Sequence, residues 1–106
     1  MRLDPRNRGL YLGEEGIAQT FNGHYAQAIP TLETSLASYP NNMGPRLALT
    51  IAYSEVGREI DARRQVAEIQ RISPKFTAKA LQHGLPLEDP ALRERNRLDF
   101  LKAGLK

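Results

Sequence analysis

Two histidines are the side chains of this 106-residue chain best suited to metal binding or proton transfer near neutral pH. Both adjoin a glycine: His24 follows Gly23, and His83 precedes Gly84. No histidine or carboxylate lies three or four residues after either one, so the spacing of a helical metal site is missing. The chain has no cysteine, which also excludes thiolate ligands and a cysteine nucleophile. We therefore expect both histidines to lie in solvated turns, and we predict no metal site.

The other groups that could do chemistry also lack the required spacing. The carboxylate pairs Glu14–Glu15 and Glu88–Asp89 are adjacent in sequence, so their side chains diverge on a helix. No serine has the Gly-x-Ser-x-Gly surroundings of a hydrolase nucleophile. The glycines of residues 9–16 depart from the Gly-x-Gly-x-x-Gly order of dinucleotide-binding loops, and they are of the kind that lets helices approach closely. The sequence predicts a chain that is not an enzyme and holds no cofactor.

The charge pattern does not favour nucleic acid as a partner. The net charge is +3, but basic and acidic residues are mixed along most of the chain. Arg93, Arg95 and Arg97 resemble a cluster, yet at about 100° per residue Arg95 points away from the other two. Such mixed charges are typical of solvated helix faces. We predict no nucleic-acid partner.

Length and hydropathy indicate one domain without a membrane segment. No apolar run approaches the ~20 residues that a membrane span needs. The charged start, residues 1–5, is not followed by the apolar stretch of a signal peptide. The lack of cysteine fits a reducing compartment, so we expect a cytoplasmic protein with no membrane contact.

An internal repeat is the strongest pattern in the chain. Glycine, alanine, a branched apolar residue and proline recur at one fixed spacing, in the pairs Gly23/Gly57, Ala28/Ala62, Leu32/Val66 and Pro40/Pro74. The period is about 34 residues, a length typical of helix-turn-helix solenoid units. The pattern predicts an all-α fold: a short α-α superhelix of two hairpins, followed by a capping helix pair.

Glycine and proline divide the chain into predicted helices. We expect helices over residues 8–22, 25–39, 45–56, 59–72, 76–82 and 90–103. Repeat 1 then covers about 9–42, repeat 2 about 43–76, and the cap about 77–106. The two repeats should form equivalent hairpins that stack side by side.

Apolar spacing predicts which helix faces are buried. Three sets of residues should face inward: Ala28, Leu32 and Leu36; Ala62, Val66 and Ile69; and Leu98, Leu101 and Leu105. The third helix is apolar on two sides, with Leu49, Ala52, Tyr53 and Val56 on one and Leu47 and Ile51 on the other. Pro30 lies beyond the first turn of the second helix, so that helix either starts later or bends there.

The residues resemble the tetratricopeptide repeat (TPR) family. Residues 23–28, with Gly-His-Tyr-Ala-Gln-Ala, match that family's turn into its second helix, and residues 39–42 match the close of a repeat. In the second copy, the family's packing positions are occupied by Leu49, Ala52, Tyr53, Gly57, Ala62 and Pro74. This resemblance implies a helical surface that binds protein or peptide.

A narrower resemblance is to the TPR region that ends many bacterial class III adenylate cyclases. It rests on residues 3–7, 10–11, 23–25, 28–29, 72–76, 85–91 and 101–105. Residues 3–5 also look like the tail of a preceding helix, so we expect the chain to be a C-terminal piece of a larger signalling protein. No cyclase motif is present, and only this context is implied by the resemblance.

The TPR resemblance also implies a concave groove lined by the first helix of each repeat. Its inward residues would be Gly13, Ile17, Thr20, Phe21, Leu47, Ile51, Ser54 and Glu55. Ile17 and Ile51 stand where the carboxylate-clamping members have asparagines, so we do not expect chaperone-tail binding. An apolar groove favours a helix or an apolar segment. The same residues could instead pack against further repeats upstream.

Two functions follow from these expectations. The first is a protein-binding module that serves a larger signalling protein such as an adenylate cyclase. The alternative is self-association, a homodimer formed through a first helix that leaves Leu12, Ile17 and Phe21 partly bare.

Overall fold

The computed structural model describes residues 8–77 and 90–105, and its secondary structure there is entirely helical. The helices in these two segments are α1 Arg8–Phe21, α2 Tyr25–Ser38, α3 Met43–Glu55, α4 Glu59–Ile72 and α5 Pro90–Lys102. The described segments contain no β-strand, as the sequence predicted. The helices follow the same period as the sequence, because α2 and α4 begin and end at equivalent positions of the repeat.

The turns that close α1 and α3 have the same geometry. Gly23 and Gly57 adopt φ angles of 81° and 83°, in the left-handed region that glycine enters without strain. Gly23 N–H bonds to the Thr20 carbonyl and His24 N–H to the Gln19 carbonyl, the pattern of a Schellman cap. The second turn repeats both bonds, from Gly57 to Ser54 and from residue 58 to residue 53. Identical caps send α2 and α4 away from their preceding helices in the same manner.

The core lies between the four helices α1–α4, and α3 is its most deeply buried element. The inward residues predicted for α2 and α4 are confirmed: all six of Ala28, Leu32, Leu36, Ala62, Val66 and Ile69 are at most 8% exposed. Helix α3 contacts α1, α2 and α4 as well as α5, which explains why it is apolar on two sides. Val56, however, was expected to be buried with this helix and is 42% exposed, because α3 ends one residue earlier, at Glu55.

Small residues on α1 allow α1 and α2 to pack closely. A Cβ atom on Gly16 would lie only 2.5 Å from Leu32 Cγ, and one on Gly9 would lie 2.8 Å from the Tyr39 ring. Ser35 donates a hydrogen bond of 2.6 Å from its hydroxyl to the Gly9 carbonyl. The glycines of α1 therefore serve helix packing, as expected. They let α1 and α2 lie closer together than residues with side chains would permit.

Arg46 joins the two hairpins through buried polar contacts. The residue is only 8% exposed, on the first turns of α3. Its guanidinium donates to the Pro40 carbonyl at 2.6 Å and to Gln65 Oε1 at 2.7 Å. Burial lowers the pKa of Arg46 from its usual value. These bonds tie the α2–α3 connection to α4.

Pro30 does not delay the start of α2. The helix begins at Tyr25 and continues through Pro30 to Ser38. The proline is exposed, and its carbonyl accepts a hydrogen bond of 2.9 Å from the Thr34 hydroxyl. The first of the two alternatives, a later start, is therefore wrong.

Several predicted bounds and faces need correction. Helices α1, α2, α3 and α5 each end one residue before the predicted end, where the chain turns into a cap. Helix α3 also begins earlier, at Met43. The helix expected over 76–82 lies largely outside the described residues, and Phe76 and Thr77 are not helical.

The buried face of α5 was also assigned wrongly. Leu98 and Leu101 are 53% and 38% exposed, whereas Leu105 is buried as expected. The buried face of α5 is instead the neighbouring stripe of residues, formed by Asn96, Phe100 and Ala103. Burying the phenylalanine removes more apolar area from water than burying either leucine, which accounts for the choice of face.

Candidate functional site

The eight residues predicted to line a groove divide into two sets by burial. Gly13, Thr20 and Ile51 are buried, and each is engaged in packing or hydrogen bonding. A Cβ on Gly13 would meet Ser35 Oγ at 2.8 Å, and the Thr20 hydroxyl donates to the Gly16 carbonyl at 2.8 Å. The remaining five, which are Ile17, Phe21, Leu47, Ser54 and Glu55, are half-buried.

The half-buried residues Ile17, Phe21 and Leu47 lie where α1 faces α3. All three pack against the buried core and keep part of their surface in water. Ile17 Cδ1 lies 3.3 Å from the position of a Cβ on Gly44, which places this side chain over the first turn of α3. Leu12 is half-buried as well. Ile17, Phe21 and Leu47 form an apolar seam along α1 and α3, which we call the α1–α3 seam.

Ser54 and Glu55, at the end of α3, are covered by α5. Arg95 Nε donates to Glu55 Oε1 at 2.9 Å, and Arg95 Nη2 pairs with the other carboxylate oxygen. The Glu55 side chain is 6% exposed, whereas that of Arg95 is 61% exposed. The structure thus places Glu55 beneath a helix that the sequence described only as a cap.

A small pocket marks the other end of this contact. It has a volume of about 10 Å³, room for no more than a single water molecule, and is lined by Ser54, Glu59, Ala62, Lys102 and Ala103. Lys102 Nζ also pairs with Glu59 Oε1 at 2.8 Å. We call the surface formed by Ser54, Glu55, Glu59 and Ala62 the α3–α4 platform; α5 is seated on it.

A pair of carboxyl groups lies inside the contact between α3 and α5. Asp99 faces Glu55, and a hydrogen bond between two carboxyl groups requires that one of them carries a proton. Burial, the hydrogen bond and the charge of Glu55 together raise the pKa of Asp99 from 3.8 to about 8. Burial also acts to raise the pKa of Glu55, but hydrogen bonds from Asp99 and Arg95 outweigh it and hold that pKa below its ordinary value. Asp99 is therefore the group that carries the proton near neutral pH.

Tyr25, at the start of α2, lies beside this pair. Burial and the negative charge of Glu55 raise the pKa of its hydroxyl, and Arg95 acts in the opposite direction. The cluster of Tyr25, Glu55, Arg95 and Asp99 thus joins three helices. Arg95 and Asp99 are four residues apart on α5, but no local spacing relates them to Tyr25 or Glu55.

Sequence reasoning missed Phe100, Asn96 and Asp99 as residues of this contact. Phe100 and Asn96 are 0% and 1% exposed. One signal was available: Phe100 is the largest apolar side chain of α5 and therefore the first choice for burial. The pairing of Asp99 with Glu55 had no sequence signal, because it depends on how α5 docks.

The histidine and acidic side chains of residues 8–77 and 90–105 give no candidate metal site. No group of three or more histidine or acidic side chains there could hold a metal ion. His24 is exposed in the turn before α2, as expected, while His83 lies outside the described residues. None of the helices in those segments combines the length and apolarity that crossing a membrane requires.

Comparison with known proteins gives no match by any of three routes. No family model matches the chain, and no curated protein or solved structure is detectably similar to it. Clues to function therefore come from the structure itself: the α1–α3 seam, the α3–α4 platform and the helix α5 that covers the platform.

Proposed function

We propose that this chain is a non-catalytic, TPR-like module that binds another protein through the α1–α3 seam. The observation that carries the proposal is the pair of hairpins with identical glycine caps and matching positions along the repeat. Repeated hairpins of this kind present their first helices side by side. Ile17, Phe21 and Leu47 give that face partly exposed apolar side chains, which suit a helix or an apolar segment.

The larger context is part of the same proposal. The resemblance of both ends of the chain to the TPR region of bacterial class III adenylate cyclases supports a regulatory role in a cytoplasmic signalling protein of that kind. The chain would then supply binding and regulation, and the catalytic domain would lie upstream.

The seam is tested by photo-crosslinking followed by affinity measurement. A photoreactive residue replacing Ile17 should capture a protein from a bacterial lysate, and the same residue at Ile60 serves as the control. Ile60 is 72% exposed on α4, so it is more accessible than the half-buried Ile17 but lies outside the seam. The captured protein is then purified and its affinity for the chain is measured.

The affinity for that protein should fall at least about tenfold in Ile17→Asp and stay unchanged in Ile60→Asp, since only the first change puts a charge in the seam. Ile51 is unsuitable for this test because it is 1% exposed and its substitution would damage the core. Equal affinities in both variants, with circular dichroism spectra like that of the wild type, would contradict the seam assignment.

A second candidate function is self-association through α1. Leu10 and Tyr11 are 42% and 48% exposed on this helix, and the half-buried Leu12 is next to them in sequence. Light scattering over a wide range of protein concentrations tests this candidate. A dimer that dissociates in Leu10→Glu would support it, and a monomer at the highest concentration would exclude it.

A further inference from the structure

Helix α5 is seated on the α3–α4 platform through two parallel stripes of residues. The first stripe, Arg95, Asp99 and Lys102, meets carboxylates of the platform. The second, Asn96, Phe100 and Ala103, is buried. Residues at i, i+4 and i+7 share one helix face, so each stripe runs along about two turns of α5. The occupant is thus an amphipathic helix with basic residues beside an aromatic anchor.

The contact between α5 and the platform buries polar atoms that lack hydrogen-bond partners. Asn96 Oδ1 is buried and has no hydrogen-bond partner within the described part of the chain. Asp99 Oδ2 is also buried without a hydrogen-bond partner there, and the Asp99 carboxyl group faces the negative charge of Glu55. Unsatisfied buried polar groups lower the net stability of an interface. In the α1–α4 core, Gln19 Oε1 and Arg46 Nε are likewise buried without a hydrogen-bond partner in the described residues, but many more apolar side chains are buried there than in α5.

We propose that α5 is a displaceable occupant of a helix-binding site, and that the α3–α4 platform takes a basic amphipathic helix from a partner protein. This inference rests on the proposed binding function, but it assigns a second surface and a specific class of partner. Release of α5 exposes the platform, and binding of the partner helix replaces α5.

Charge complementarity identifies the partner helix as basic. The platform carries the carboxylates of Glu55 and Glu59. They form ion pairs with Arg95 and Lys102 of α5, which are seven residues apart. A rise of 1.5 Å per residue places these two cations about 10 Å apart along the helix. A partner helix therefore needs two basic residues at this spacing, with a large apolar side chain on the adjacent stripe, as Phe100 provides in α5.

The competition between the two helices determines how the site must be tested. A segment joined to its own binding site acts at an effective concentration of the order of millimolar. A separate helix of equal intrinsic affinity therefore binds weakly until α5 is weakened. The probe is a fluorescent peptide with the sequence of residues 90–105, which retains every contact residue of α5.

The decisive variants are Arg95→Glu and Arg97→Glu in the full chain. Arg95 pairs with Glu55 of the platform, whereas Arg97 pairs with Glu94 within α5. Both changes invert one charge on the same helix, but only the first weakens the seating of α5. We expect Arg95→Glu to bind the peptide at least about tenfold more tightly than the wild type does, and Arg97→Glu to bind it as the wild type does.

Equal peptide affinity in the wild type and both variants, or no binding to any of them, would overturn the proposal. A disulfide lock provides the second test, because the chain has no cysteine of its own. Ser54→Cys with Ala103→Cys joins two residues that line the same pocket. The reduced protein, but not the oxidised protein, should bind the peptide once Arg95→Glu is added. Peptide binding that survives oxidation contradicts the proposal.

The outcomes are separable from those of the seam experiment. The peptide assay changes no residue of α1, and the Ile17→Asp comparison changes no residue of the platform. Failure of the seam assignment would leave the platform result intact, and failure of the platform would leave the seam result intact.

Discussion

The four helices α1–α4 and the contact of α5 with α3 are held together in different ways. Within α1–α4, glycines allow close approach and the buried side chains are mostly aliphatic, as at Gly16 and Leu32. The described ion pairs of that region are local: Arg71–Glu68 lies within α4, and Arg58–Asp61 joins the residue before α4 to its first turn. Two ion pairs of α5, Arg95–Glu55 and Lys102–Glu59, join it to other helices, and one aromatic ring anchors it.

This difference separates a permanent core from a conditional contact. Apolar burial depends weakly on pH and salt, whereas ion pairs and shared protons respond to both. Local regions of a protein can open with a free energy well below that of global unfolding when they contribute few apolar contacts. We expect α5 to be such a region and α1–α4 to unfold together.

The largest effect that sharpens this comparison is expected from Phe100→Ala. Phe100 is fully buried, and truncating such a ring costs about 3–5 kcal/mol where the site cannot collapse. This lost free energy should weaken the contact of α5 with α3 and α4. Amide hydrogen exchange should show α5 losing most of its protection while α1–α4 keep theirs. An equal loss of protection in all five helices would show that α5 belongs to the same cooperative unit.

Leu32→Ala is the matching test of the α1–α4 core. Leu32, on α2, is fully buried against α1, so we expect its truncation to lower the free energy of global unfolding by about 2–5 kcal/mol. Urea denaturation followed by circular dichroism measures this change. A loss below about 1 kcal/mol would mean that this site collapses around the alanine and is not tightly packed.

Gly16→Ala tests the close approach of α1 to α2. The added Cβ would lie 2.5 Å from Leu32 Cγ, so overpacking should lower the free energy of unfolding by about 1–3 kcal/mol. Gly44→Ala is the control, since its Cβ meets only the flexible end of Ile17 at 3.3 Å. There the better helix propensity of alanine should leave stability unchanged or slightly higher. Equal losses in both variants would contradict the packing explanation.

The shared proton makes the seating of α5 dependent on pH. Asp99 has a pKa raised to about 8 when α5 is seated and an ordinary pKa of 3.8 when it is released. The released helix therefore gives up its proton first, and seating weakens as pH rises from about 4 to about 8. The lowered pKa of Glu55 acts below this window, where its contribution is lost as pH falls.

Hydrogen exchange of α5 amides, corrected for the intrinsic pH dependence of exchange, measures this effect. Protection should decrease across the window in the wild type and become nearly flat in Asp99→Asn. Glu94→Gln is the control, because Glu94 pairs only within α5 in the described contacts and should keep the wild-type profile. The groups that face Asp99 are Tyr25, Glu55, Arg95 and Lys102. A flat profile in the wild type would refute the shared proton.

The smallest effect is expected from Arg71→Ala on α4. The side chains of Arg71 and Glu68 are 58% and 43% exposed, and the pair lies on one helix three residues apart. Exposed pairs of this kind contribute about 0–1 kcal/mol because water and salt screen them. Urea denaturation should therefore detect at most a marginal loss. A loss well beyond that range would indicate that the bond from Arg71 to Asn41 carries an unexpected structural role.

The local features of the fold were predictable from the sequence. Glycines and prolines mark turns by their own backbone limits, so the bounds of α2 and α4 were predicted to within a residue. The inward faces of α2 and α4 followed from apolar spacing alone. Pro30 shows the limit of such rules, because the helix continues through a residue that usually interrupts one.

The contacts between distant segments were not predictable in the same way. Leu98 and Leu101 have the spacing of a buried stripe but remain exposed, because Phe100 on the neighbouring stripe is buried instead. The α3–α4 platform depends on where α5 docks after an intervening stretch of chain, and no periodicity encodes that position. Ser54 and Glu55 were predicted to line a groove for a partner, and in the structure a helix of the same chain covers them.

The left-handed caps at Gly23 and Gly57 have a consequence for chemical synthesis of the protein. Nothing lies within 4 Å of where a side-chain carbon would sit on either glycine, and both φ angles are near +80°. A D-alanine fits this geometry without strain, because a mirror-image residue prefers the positive φ that an L-residue avoids. Building D-alanine into both turns would restrict the unfolded chain and leave the native contacts unaltered. The two hairpins could thus be stiffened at positions where no genetically encoded side chain is tolerated without strain.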